Sequence, residues 1–98
     1  MKGPESKIVD CIRAYLRSRP HTWHFKVGVA GWQVSGLPDL IGCADGRFFA
    51  FEVKRPGREA TPLQGATLRA IQRANGLAET VTSLDQVKFL LEGVTHGS

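Results

Sequence analysis

The stretch Gly36-Leu37-Pro38-Asp39-Leu40-Ile41-Gly42-Cys43-Ala44-Asp45-Gly46-Arg47-Phe48-Phe49-Ala50-Phe51-Glu52-Val53-Lys54 decides how this chain folds. Asp-Gly is a strong hairpin dipeptide, because the tight turn that matches strand twist needs a positive φ at both central residues. Here it separates two apolar runs, so Leu40–Cys43 and Arg47–Lys54 are predicted to be antiparallel strands. A two-residue turn at Asp45-Gly46 sets Ala44 opposite Arg47, Cys43 opposite Phe48, Ile41 opposite Ala50 and Asp39 opposite Glu52. Period-two alternation puts Phe49, Phe51 and Val53 on one face and Ala50, Glu52 and Lys54 on the other.

That register has a chemical consequence. Opposed residues have Cβ atoms ~4.5–5.5 Å apart, and like charges there are destabilising unless something lies between them. A divalent cation removes the conflict between Asp39 and Glu52, and Lys54 stands on the same face ~7 Å along the strand. Hard carboxylate oxygens suit Mg2+ or Mn2+, which usually keep waters that can act as nucleophiles, so a phosphodiester is a natural substrate. Lys54 could hold the attacking water or offset charge developing on phosphorus. The same residues also allow a plain surface hairpin with an Asp at one end and a Glu/Lys pair at the other, since a bulge or longer turn would move Asp39 off Glu52.

Working outward, Glu5, Ile8, Val9, Ile12, Tyr15 and Leu16 recur at helical spacing, and Pro4 suits the first helical position, which predicts a helix from Pro4 to Ser18. Its core-facing row begins with Glu5, a carboxylate. The segment Thr22-Trp23-His24-Phe25-Lys26-Val27 reads as a strand. Gly28 to Leu37 reads as a glycine-rich loop carrying Trp32. Past the hairpin, Arg55-Pro56-Gly57-Arg58 breaks the strand. Thr61 is placed to cap a helix with Pro62 at its first position, with Leu63, Thr67, Ala70, Ile71 and Ala74 inward and a stop at Asn75-Gly76. Ala78–Val81 reads as a short strand. Ser83 caps a last helix with Leu84, Val87, Leu90 and Leu91 inward, followed by a loose tail from Val94. The order α-β-β-β-α-β-α is of the α/β class, an α+β mixed sheet flanked by helices.

Ninety-eight residues with 42% apolar content suit a single domain over 1–98 with a small core and no disulfide staples. Cys11 and Cys43 have no zinc or redox spacing and are expected to be buried thiols. His21 and His24, three apart at the start of a strand, would aim to opposite faces and make a poor metal pair. No apolar run reaches a membrane span and the start shows no signal-type stretch, so a soluble, intracellular, cytoplasmic protein is expected. Thirteen Lys/Arg against nine Asp/Glu give a net charge of +4. The basic residues concentrate in 47–73, which favours a polyanionic partner over a merely solvated face only weakly.

Gly36-Leu37-Pro38-Asp39-Leu40 and then Phe51-Glu52-Val53-Lys54, with twelve residues between Asp39 and Glu52, resembles the PD-(D/E)xK nuclease signature, and more closely the virus-type replication-repair nuclease (VRR-NUC) family. The resemblance covers nearly the whole chain: a Glu on the first helix, a G-x-PD-L segment, a D-G-R turn into an E-x-K strand, and a Gln soon afterward on the next helix. It implies a restriction-endonuclease-like core in which Asp39, Glu52 and the Val53 carbonyl bind Mg2+ or Mn2+, with Glu5 reaching the metal directly or through water. It makes Lys54 the catalytic amine, and gives Gln64 a role in positioning Lys54, the water or a phosphate, although Thr61-x-x-Gln64 is equally a capping box. Arg55, Arg58, Lys26, Trp32 and Arg69 are the candidate DNA contacts, with Arg73 further along the same helix.

By resemblance to free-standing members, the expected function is a metal-dependent, structure-selective DNA endonuclease resolving four-way (Holliday) junctions as a homodimer. One chain has one acidic pair, and a junction needs two opposed cuts. The alternatives are a nicking or flap-type repair endonuclease, or a basic DNA-binding module without catalysis.

Overall fold

The computed structural model describes residues 3–28 and 35–96. Trp32 therefore lies outside the described residues. The elements run α1 (Pro4–Ser18), β1 (Thr22–Lys26), β2 (Leu40–Ala44), β3 (Arg47–Val53), α2 (Pro62–Arg73), β4 (Leu77–Val81) and α3 (Leu84–His96). The order is the one expected from the sequence. The four strands form one mixed sheet in the order β1-β2-β3-β4, antiparallel except for the parallel β3–β4 pair. That parallel step is made by α2, whose length supplies the crossover that parallel neighbours require.

The hairpin is tight. Asp45 and Gly46 have φ of 51° and 84°, and Ala44 faces Arg47 while Ile41 faces Ala50. The pairing holds to Leu40–Phe51, one step from Asp39 and Glu52. One face of the sheet buries Leu40, Ala44, Phe49, Phe51, Val53 and Val81 against Val9, Ile12 and Leu16 of α1 and Val87 and Leu91 of α3. The Phe49 and Phe51 rings stack with centroids 5.1 Å apart. Gly42 makes room for this packing: a Cβ there would sit 2.7 Å from Phe49 Cζ and 2.1 Å from the Trp23 carbonyl oxygen.

The other face carries α2, but only over one half. Leu68 and Ile71 rest on Ala50, Ala78 and Ile41. The inward stripe of α2 is thus turned from the one the apolar spacing predicts. Leu68 is buried, whereas Leu63, Ala70 and Ala74 are exposed. The small Ala50 and Ala78 leave a shallow seat that one leucine fills, so the alanines of the helix need not face in. Among the described residues α2 packs on β3 and β4 and leaves the β1–β2 half of that face uncovered. Cys43 is consequently exposed, and Cys11 is exposed on the outer side of α1, contrary to the expectation of two buried thiols. The last helix continues to His96, past the Val94 where a loose tail was expected. Among the described residues no helix is long and apolar enough to cross a membrane.

Candidate active site

The chemistry-bearing residues gather where β2 begins and β3 ends, on the α2 side of the sheet. Asp39 lies just before β2. Its Oδ2 accepts a 2.7 Å hydrogen bond from the Val53 N–H, and its own carbonyl accepts one from Val27 N–H at 2.8 Å. These bonds lash the aspartate between β1 and β3. The Val53 amide orients the carboxylate beside Glu52, and the chain cannot shift it without breaking the ladder.

Glu52 is the only charged residue buried among those described, with 2% of its surface exposed. One carboxylate oxygen, Oε2, meets Lys54 Nζ at 3.2 Å, while Oε1 has no hydrogen-bond partner. Burial, and then the Asp39 charge beside it, push the Glu52 carboxyl from an ordinary 4.5 up to about 7, against the opposing pull of Lys54. An unpaired buried carboxylate oxygen costs free energy unless a ligand satisfies it. Hard oxygen donors, adjacent like charges and an orphaned buried Oε1 fit a divalent cation.

The other expected site residues divide. Glu5, in the first turn of α1, accepts a hydrogen bond from Arg55 N–H at 3.3 Å. It lines a surface recess with Lys54, Arg58 and Thr61 and so stands beside the amine. It does not join the acidic pair, since among the described residues no group of three His, Cys, Asp or Glu is close enough to hold a metal. Gln64 Oε1 accepts from Thr61 N–H at 2.9 Å while Thr61 Oγ1 accepts from Gln64 N–H at 3.2 Å, completing the capping box. Gln64 nevertheless also lines a cleft of about 380 Å³ with Lys26, Gly36, Pro38 and Asp39. The cap occupies only the amide oxygen, leaving its NH2 as a donor. Sequence reasoning posed these two roles as alternatives, and the geometry accommodates both.

Arg55 and Arg58 are exposed on the turn after β3, closed by a 3.1 Å bond from Arg58 N–H to the Arg55 carbonyl. Arg69 is exposed on α2. His24 is half-buried and accepts from Arg13 Nε at 3.2 Å, so it is committed elsewhere.

A buried Glu with a Lys two residues on and an Asp tied across the hairpin thus stand on one mixed sheet packed between helices. The fold is similar to that of solved VRR_NUC domains. A solved structure described as "VRR_NUC domain" matches 99% of this chain over 100% of its own length, with a TM-score of 0.74 and 19% identity. Another, a "VRR_NUC domain protein", matches 94% of this chain over 88% of its own, with a TM-score of 0.69 and 17% identity. No family model and no curated protein matches the sequence.

Proposed function

We propose that this chain is a divalent-metal-dependent nuclease that hydrolyses phosphodiester bonds in branched DNA, with the four-way junction as its substrate. The observation that carries the reading is Glu52: a buried carboxylate with one oxygen unpaired, the other on Lys54, and Asp39 beside it. The VRR_NUC fold around that site supports it.

In this reading Asp39, Glu52 and the Val53 carbonyl hold Mg2+ or Mn2+, with Glu5 reaching the ion through water. A bound ion would neutralise the paired carboxylates and polarise the scissile phosphate and the attacking water. The chain's own residues do the rest. Lys54, paired with Glu52, donates a hydrogen bond to the water or to a phosphate oxygen as charge builds on phosphorus. The Gln64 NH2 fixes a second phosphate oxygen or the water in the cleft. Water adds to phosphorus, one P–O bond to sugar breaks, and the strand ends are left as a phosphate monoester and a hydroxyl. Arg55 and Arg58, with Lys26, Trp32 and Arg69, hold the flanking backbone. Glu5, by accepting the Arg55 N–H, fixes the turn that presents the two arginines. The protein works inside the cell, and as a homodimer, because paired cuts need two centres.

A single assay tests the reading: labelled four-way junction, 5′-flap and plain duplex incubated with the chain in Mg2+ and in excess chelator. Paired symmetric nicks in the junction that vanish in chelator are expected. Preferred cutting of the flap would retain the nuclease and replace the substrate. Binding of all three DNAs without cutting in Mg2+ or Mn2+ would leave a basic DNA-binding module and overturn the catalytic assignment.

A further inference from the structure

The two edges of the sheet are finished differently. β4 is closed at both ends: Gln72 Nε2 donates to the Ala78 carbonyl at 2.6 Å, and Gln86 Oε1 accepts from Thr82 N–H at 2.7 Å. β1 has no such cover among the described residues. Val27 N–H and the His21 carbonyl bond to Asp39 and Asp45 across β2. Antiparallel alternation then turns the N–H and C=O of Thr22, His24 and Lys26 away from the sheet. On the same strand Trp23 and Phe25 are 63% and 42% exposed, their ring centroids 5.5 Å apart. A bare edge flanked by exposed aromatics is a template for strand pairing.

We propose that β1 is the dimer interface, pairing antiparallel with β1 of a second copy about a two-fold axis through His24, so that the two sheets become one of eight strands. This deepens the homodimer of the preceding section by naming its surface, and it does not depend on the chemistry of Glu52. The register follows from the edge itself. With His24 opposite its mate, Thr22 faces the other copy's Lys26, and all outward N–H and C=O groups of the three residues are paired. Any shifted symmetric register leaves some unpaired. The same register sets each Trp23 opposite the other copy's Phe25 in the closer, non-hydrogen-bonded pairs where aromatic side chains interact best.

The area argues for a second copy held at moderate affinity. The exposed parts of Trp23 and Phe25 supply about 250 Å² per copy, enough for the centre of a standard interface of ~800 Å² a side but not for all of it. Burial, followed by the charges of Arg13 and Arg17, lowers the His24 pKa and so favours the neutral imidazole at the axis. The guanidiniums of Arg13 and Arg17 near His24 oppose association.

The geometry also serves the site. An axis normal to the sheet keeps both acidic pairs on the same face. With strands ~4.8 Å apart and ~3.3 Å per residue, it sets them on the order of 25–30 Å from each other. Two centres facing one way can meet two strands of one junction.

Sedimentation equilibrium from 1 to 100 µM tests this, with a mass rising from 10.7 kDa toward twice that value. Trp23→Lys with Phe25→Lys should weaken association at least tenfold with an unchanged circular dichroism spectrum. In a Cys11→Ser/Cys43→Ser background, His24→Cys should cross-link on oxidation, since directly opposed Cα atoms at ~5.5 Å suit a disulfide. Thr22→Cys, far from its own mate, should not. A monomer at every concentration, a dimer indifferent to the lysines, or cross-linking of Thr22→Cys instead would each overturn the interface. If the lysine variant is monomeric yet still nicks one strand of a junction in Mg2+, the interface and the nuclease reading both stand. Loss of all metal-dependent cutting in the dimeric wild type would sink the nuclease alone.

Discussion

The two ends of β3 obey opposite rules. At its start, Arg47 follows a turn whose residues suit it: Asp45 and Gly46 take the positive φ values the hairpin needs, and the Arg47 Nε–H finds the Asn75 carbonyl at 3.1 Å. At its end, five residues later, Glu52 is buried with an unsatisfied oxygen next to another carboxylate. One strand therefore carries a relaxed end and a strained end. Natural sequences keep local choices consistent with the fold except where function needs otherwise, so the strained end is where chemistry is to be sought.

The sharpest way to break this comparison is to neutralise the strained end. Asp39→Asn or Glu52→Gln should lower junction cleavage by ~10²–10³-fold, in the range seen when a group stabilising transition-state charge is lost. Neither should unfold the protein, because each relieves like-charge repulsion. Lys54→Ala should lose cleavage to a similar degree. Gel assays with circular dichroism on the same samples check this, and robust cleavage by Glu52→Gln would remove Glu52 from the site.

A smaller effect concerns pH. With its carboxyl at about 7 in the fold against 4.5 unfolded, Glu52 holds its proton in the native state where the unfolded chain has lost it. Its favourable contribution is present at acid pH and is lost as pH rises from 4.5 through 7. Metal-free wild type should therefore lose roughly 1–3 kcal/mol between pH 4.5 and 8 relative to Glu52→Gln. Urea unfolding of both proteins at the two pH values measures it, and parallel pH profiles would contradict the burial argument.

Arg55→Ala and Arg58→Ala, on the turn just past the strained end, should each weaken DNA binding several-fold whatever the sequence. Each should also reduce the slope of log affinity against log salt by about 1. The relaxed end gives the smallest effect. Gly46→Ala, at φ 84°, should cost about 1 kcal/mol with no change in cleavage per folded molecule.

The relaxed end was the more legible from sequence, and it made the strained one legible. Asp45-Gly46 fixes the register by local sterics, so the opposition of Asp39 and Glu52 follows by counting. What escaped depends on tertiary fit. The inward face of α2 turns on the shallow seat made by Ala50 and Ala78, which periodicity cannot see when alanine counts as apolar on either side of a helix. The exposure of Cys43 follows from α2 covering only half of its sheet face, a matter of where the helix docks. The double use of Gln64 depends on which amide atom the cap takes. The bonding of Glu5 to Arg55 N–H depends on how the turn after β3 meets α1.

The central claim is that Asp39 and Glu52 are arranged to hold a divalent cation, and Mn2+ binding followed by electron paramagnetic resonance at pH 8 tests it most directly. Wild type and Lys54→Ala should both take up Mn2+, and Asp39→Asn and Glu52→Gln should bind it at least tenfold more weakly. Equal uptake by wild type and Glu52→Gln, or none by wild type at millimolar Mn2+ with junction DNA present, would contradict the account.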